Sequence, residues 1–256
     1  MRSPQKVIVM IRVHNLTKKF GNKIVFTGIN FSVRKGDFLT IVGPNGAGKT
    51  TLLKIMATLT RYTEGNVEIG GFDVKDSPEE VRKIIGVISH NTYLYNELTA
   101  YENLKFFGKM YEIPEIVARI NEVLNDTGLS TEMHNRVGTF SRGMKQRLAI
   151  ARAILHRPSV LLLDEPYTGL DQHASAGLEG VLHGLTGSGI TTIMISHDMK
   201  RGLALCDHVL ILASGGVAYH APASDIADSD GLQAVYDRCI NVNAANNHSK
   251  IGETET

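Results

Sequence analysis

The sequence predicts an α/β fold with a mostly parallel sheet at its core, on three observations. Short, largely apolar runs recur at residues 38–42, 160–163 and 190–195, and the four apolar residues 160–163 suit a strand buried on both faces of a parallel sheet. Each run ends in a loop that carries polar chemistry: glycines and Lys49, then Asp164 and Glu165, then Ser196 and His197. Stretches of helical periodicity lie between the runs, so strands alternate with helices. The chain has 256 residues, 43 % hydrophobic and 21 % charged, which is core enough for one large domain or two small ones.

Taken in order, residues 1–9 read as an extension or a misassigned start, ahead of a strand that Met10 opens. Residues 11–16 alternate apolar and polar, a half-buried strand, and residues 20–23 turn. Residues 29–33 alternate again, and 34–37 turn into the run 38–42. Gly43 to Thr50 then fit the pattern G-x-x-x-x-G-K-[ST] at every fixed position. Glycines let successive N–H groups converge on one centre, and the following helix adds its positive end. Lys49 can reach β- and γ-phosphates, and the Thr50 hydroxyl can bind Mg²⁺. The plain alternative is an ordinary glycine-rich turn; the strand-loop-helix setting favours phosphate.

Residues 51–59 continue as a helix with Leu52, Leu53, Ile55 and Met56 on one side. Residues 65–71 read as strand then turn, Ser77 and Pro78 open a helix with Glu79 and Glu80 in its first turn, and 84–89 is a core strand. The character then changes. Thr99 and Glu102 resemble a capping box ahead of a helix through Met110. Pro114 opens another, with Ile116, Val117, Ile120, Val123 and Leu124 at helical spacing. These predict a helical insert over about residues 91–157 within a single domain spanning 1–240, its apolar stripes read as core rather than as a partner groove. Residues 141–155 form a long helix, 209–213 and 217–219 a closing hairpin, and 241–256 a polar, disordered tail.

The totals exclude several classes. A net charge of +1 argues against nucleic acid as a partner. Cys206 and Cys239 have no metal-ligand spacing and form no disulfide framework, so a reducing cytoplasm is expected and idle thiols are the simplest reading. No apolar run approaches the roughly 20 residues that span a bilayer, so work at a membrane requires another chain to supply the span.

An acid at the end of a strand beside a phosphate loop, Asp164, is placed to hold Mg²⁺ through water. The next acid, Glu165, points elsewhere and can orient or deprotonate an attacking water. Alone, the pair reads as a strand-end turn; after a phosphate loop it reads as function. A lone histidine is more often structural, yet His197 ends a strand at the same carboxyl edge, where ligands of open α/β folds bind. From there it can hold the γ-phosphate or the water. Phe20 is either a turn aromatic packed on the core or a stacking surface for a base.

With these motifs in hand, the sequence over about residues 10–225 resembles the ATP-binding subunits of ABC transporters. The Walker A motif matches residues 43–51, GPNGAGKTT, and Walker B matches 161–164, LLLD, followed by the family's catalytic glutamate at Glu165. Phe20 falls where the family stacks an aromatic on adenine, residues 169–171 resemble the D-loop, and His197 the switch histidine. The signature LSGGQ appears as FSRGM at 140–144, so Ser141 and Gly143 match while the first, third and fifth positions do not. The resemblance implies a P-loop NTPase fold of the ABC type, with a parallel core, an antiparallel β subdomain and the helical insert. It implies ATP and Mg²⁺ as ligands. Gly43, Pro44, Asn45, Gly46, Ala47, Gly48, Lys49, Thr50 and Thr51 hold the nucleotide, joined by Phe20, His90, Ser141, Gly143 and Asp171. Thr50, Asp164 and His90 surround the metal; Glu165 and His197 are catalytic. In such proteins the signature helix of one subunit caps the γ-phosphate held by the other. The resemblance therefore implies a homodimer, or a heterodimer with a related ATPase, on the cytoplasmic face of transmembrane permease subunits.

Two rival classes are a P-loop GTPase or small kinase and a non-transport ABC ATPase. The guanine-reading tetrapeptide NKxD does not occur, and neither a coiled-coil insertion nor a second cassette is visible. Within transport, FSRGM followed by KQR and the stretch SHN at 89–91 resemble the ATPase subunit of the haem exporter of cytochrome c maturation. Drug, lipid and peptide exporter subunits share most of these features.

The family usually carries Gln where this sequence has His90. A neutral imidazole accepts through one ring nitrogen and an imidazolium cannot. Activity is therefore expected to fall on acidification through the histidine range, and His90→Gln to flatten the profile. An unchanged pH–rate profile in that variant removes His90 from the site and leaves it a packing residue.

Overall fold

The fold is seen in a computed structural model that describes residues 8–89 and 91–251, with side chains through residue 241. The expectations for residues 1–7, for His90 and for 252–256 lie outside the described residues.

Two sheets organise the chain. β1 (Val9–Phe20), β2 (Lys23–Arg34), β4 (Glu64–Ile69) and β5 (Phe72–Asp73) form an antiparallel sheet in the order β2-β1-β4-β5. β1 and β2 run well beyond the alternating segments 11–16 and 29–33. The pairing slips between Val13 and Leu16, where Asn15 sits at φ 46, and an extra residue there inverts the inside-outside alternation. A strict period of two therefore ends at the bulge although the strand does not.

The second sheet holds β3 (Phe38–Val42), β6 (Ile85–Ile88), β7 (Val160–Asp164), β8 (Thr191–Ile195), β9 (His208–Ala213) and β10 (Gly216–Pro222), in the order β10-β9-β3-β8-β7-β6. All neighbours are parallel except the β9–β10 hairpin. β8 lies between the phosphate-loop strand β3 and the acid-bearing strand β7. Every residue of β3, β7 and β8 is buried. Alternate residues feed different cores, Leu39, Ile41, Leu162 and Ile193 on one face, Phe38, Leu161, Leu163 and Met194 on the other. Two-sided burial explains why these strands read as apolar runs without alternation.

The first core is closed by the antiparallel sheet and by α1 (Lys49–Met56), through Phe26, Leu52 and Ile55 among others. α2 (Pro78–Ile84) leads directly into β6. The helical insert between β6 and β7 comprises α3 (Ala100–Met110), α4 (Ile116–Asp126) and α5 (Arg142–Ile154), and closes the second core with Leu104, Ile120 and Leu148. The capping box at Thr99 is complete: Thr99 N donates to Glu102 Oε2 at 2.8 Å, and Glu102 N to Thr99 Oγ1 at 3.1 Å. Ile120, Val123 and Leu124 of α4 are buried, while Val117 faces out. Buried Arg119 pins α4 to the end of α5, donating to Leu155 O at 2.9 Å and Ile154 O at 2.5 Å, two carbonyls that a helix end leaves open.

Three helices are absent from the sequence reading: α6 (Gln172–Gly187), α7 (Met199–Leu205) and α8 (Ser229–Ile251). α6 contains four glycines, each of low helix propensity, so packing rather than propensity makes it helical. α8 extends through residues that the sequence reads as the start of a polar tail, its backbone helical to Ile251. Among the described residues no helix is long and apolar enough to cross a membrane.

Candidate active site

β3 delivers the glycine loop to the carboxyl edge of the sheet, and α1 starts at Lys49. Gly48 sits at φ +95, and a Cβ there would lie 2.7 Å from Phe26 Cδ1 and 2.9 Å from Val25 Cγ1. Both the left-handed backbone and the packing exclude a side chain. A Cβ on Gly43 would run into the Leu212 carbonyl, so the loop is seated tightly against β9. Lys49 folds back over the loop and donates to Gly43 O at 2.7 Å and Pro44 O at 3.0 Å. Burial pushes its pKa down, and Glu165 and Asp164 pull it up.

Loop and helix open on a cleft of about 370 Å³ lined by Asn45, Gly46, Gly48, Lys49, Thr50, Thr51, Glu165 and the end of the β1–β2 hairpin. Gly43, Pro44 and Ala47 do not line it; they shape the loop from behind. Phe20 is 54 % exposed at the cleft edge, not packed on the core, and Lys18 Nζ stands 4.1 Å above its ring. Lys23, Ile24 and Val25 also line this cleft and carry no sequence motif. They reach it because the hairpin folds over the loop, held by Thr27 N donating to Gly215 O at 2.8 Å.

Asp164 ends β7, is buried, and accepts from Thr50 Oγ1 at 3.3 Å. Burial pushes its pKa up; the Thr50 hydroxyl opposes the shift and Glu165 adds to it. A buried carboxylate with one hydroxyl partner fits a hard, oxygen-seeking cation such as Mg²⁺, which takes few protein ligands and fills its octahedron with water and phosphate oxygen. Glu165 leaves the strand at φ 53, a non-glycine residue in the left-handed region, at a cost of about 1–3 kcal/mol. Its N–H donates to Ile195 O at 3.1 Å. Its Oε1 lies 2.5 Å from His197 Nε2, and its Oε2 accepts from Thr168 Oγ1 at 3.2 Å. The ends of β7 and β8 thus join Glu165 and His197 directly.

The remaining candidates lie elsewhere. Ser141 is the N-cap of α5 and accepts from Met144 N at 3.2 Å. Asp171 is the N-cap of α6 and accepts from Ala174 N at 2.7 Å. Gly143 lies so close to α6 that a Cβ would be 2.6 Å from Ala174 Cβ. Ser141, Gly143 and Asp171 line a separate cavity of about 260 Å³ that shares no residue with the phosphate-loop cleft.

The sequence model of the ABC transporter family matches residues 26–168, from within β2 to the turn after Glu165. The chain belongs to the ABC transporter ATP-binding family. Over 228 residues it is 37 % identical to the ABC transporter ATP-binding protein NatA of Bacillus subtilis (strain 168), covering 86 % of this chain and 93 % of that one. It is 34 % identical to the linearmycin resistance ATP-binding protein LnrL of the same organism, over 87 % of this chain and 72 % of that protein. The solved structure of an ATP-binding subunit of an ABC transporter superposes with a TM-score of 0.79 at 28 % identity, covering 90 % of this chain and 99 % of that one. The chain is accordingly an ATP-binding subunit with the ABC-type P-loop fold, an ATPase of the class coupled to transport. ABC ATP-binding subunits generally dimerise and pair with transmembrane permease components.

The raised pKa of Asp164 carries a stability consequence. The folded state binds its proton more tightly than the unfolded chain, whose value is 3.8, so ionisation destabilises the nucleotide-free fold. Asp164→Asn is expected to raise the urea midpoint at pH 7, the gain vanishing below the unfolded value, where both forms are neutral. A midpoint below that of the parent at pH 7 contradicts this account.

Proposed function

We propose that the chain hydrolyses ATP at an interface between two ATPase subunits and so drives separate membrane-spanning subunits. The observation that carries this reading is the separation of the two candidate half-sites. The phosphate-loop cleft holds Lys49, Thr50 and Glu165, while Ser141, Gly143 and Asp171 line another cavity of the same chain. A second copy, or a related cassette, would bring its signature helix over this chain's cleft.

In this reading the loop N–H groups and Lys49 hold the β- and γ-phosphates, exchanging the Gly43 and Pro44 carbonyls for phosphate oxygen. Phe20 offers its exposed face to the base. Thr50, Asp164 and, by its place in the sequence, His90 surround Mg²⁺, which neutralises phosphate charge when bound. Glu165 takes a proton from the attacking water, and His197 fixes the carboxylate and senses the γ-phosphate. Ser141 Oγ and the Gly143 N–H donate to the γ-phosphate across the interface.

The helical insert supports a membrane-embedded partner. Six of the eleven large exposed apolar side chains among the described residues fall between residues 93 and 117, with Tyr95 and Phe106 packed edge to face at 5.3 Å. We place the chain peripherally on the cytoplasmic face, carried there by such subunits. For cargo, haem export rests on residues 89–91 and 140–147 alone. The linearmycin resistance relative supports the alternative of drug export.

Glu165→Gln removes the base and keeps the shape. It is expected to bind ATP, to lose about 10²-fold or more in turnover, and to accumulate as an ATP-bound dimer in sedimentation. Turnover at the parental rate overturns the assignment of the base.

A further inference from the structure

Glu165 borders two cavities. Besides the phosphate-loop cleft it lines a second space of about 250 Å³, together with Arg142, Lys145, Gln146, Thr168 and Asn91 among the described residues. At about 30 Å³ per water, this space accommodates a hydrated anion. Glu165 is the one described residue common to both linings, so the second cavity begins where the first ends.

The chemistry of this second cavity is cationic on one wall. Arg142 and Lys145 lie three residues apart at the start of α5, a helix of 13 residues. Arg142 stands at a signature position where this sequence departs from LSGGQ. Its guanidinium lies flat enough on the Asp164–Asp171 connection that a Cβ on Gly169, itself at φ +72, would collide with it. The side chain is exposed, and among the described residues it makes no hydrogen bond and no ion pair. Lys145 Nζ donates only to the neutral Asn96 Oδ1, at 3.1 Å. Two cations without an ion-pair partner among the described residues, one of them a planar fork suited to paired oxygens, therefore share this cavity with a hydroxyl, Thr168, and the carboxylate Glu165.

We propose that this cavity receives inorganic phosphate after hydrolysis, with Arg142 as its principal ligand and Lys145 as the second. The proposal rests on Glu165 acting on the attacking water, since that places the newly formed phosphate at the mouth of the cavity. Phosphate then passes from Lys49 to Arg142 on the far side of Glu165, while ADP stays in the loop. The site is specific to a chain with a cation at position 142.

Equilibrium dialysis of the Mg²⁺–ADP-loaded full chain against radiolabelled inorganic phosphate tests this without turnover, so its failure leaves the role of Glu165 standing. The parent is expected to bind phosphate. Arg142→Gln and, independently, Lys145→Gln are each expected to raise the phosphate Kd at least fivefold, in variants whose unfolding midpoints show them folded. A parent that binds no phosphate, or two variants that bind it as the parent does, overturns the proposal.

Discussion

Three adjacent parallel strands impose the geometry on which the site depends. β3, β8 and β7 are hydrogen-bonded in register, Thr40 opposite Met194 and Leu163 opposite Met194. Their carboxyl ends therefore stop at one level and deliver the glycine loop, His197 and Asp164–Glu165 to a single edge. The requirement that both faces of these strands be buried accounts for the two cores and for the helices that cover them. A break in that register would separate Lys49 from the acids that oppose its desolvation.

Electrostatics at this edge are unbalanced before nucleotide arrives. Lys49 and Asp164 are both buried, and burial disfavours the charged form of each. Lys49 satisfies its donors on carbonyls of its own loop, and Asp164 has the Thr50 hydroxyl. A phosphate chain with Mg²⁺ adds counter-charge to both at once, so the fold stores a modest instability that ligand relieves.

Much of this was legible in the sequence, for a definable reason. The glycine loop, Asp164 and Glu165 are local patterns whose geometry is set within a few residues, and the apolar run of β7 marks two-sided burial directly. What was not legible depends on tertiary context. The bulge at Asn15 hid the second part of β1, four glycines hid α6, and a polar sequence hid the helix that continues through residue 241. The order of the central strands could not be read either, because nothing local to 160–164 or 191–195 says which of them lies beside β3. Lys23, Ile24 and Val25 reach the cleft only because a hairpin folds over it.

The same contrast governs the second half-site. Ser141 opens a helix that the sequence shows and Asp171 one that it hides, and only the structure shows that the two share a cavity and that it is not the cavity of the phosphate loop. The most direct test of an interface-built site is a mixing experiment with two inactive chains, one carrying Lys49→Ala and the other Ser141→Arg. Mixed dimers should contain one intact composite site and recover hydrolysis that neither variant shows alone, up to half of the parental rate per mixed dimer. A mixture as inactive as its components, with mixed dimers present, would contradict the account.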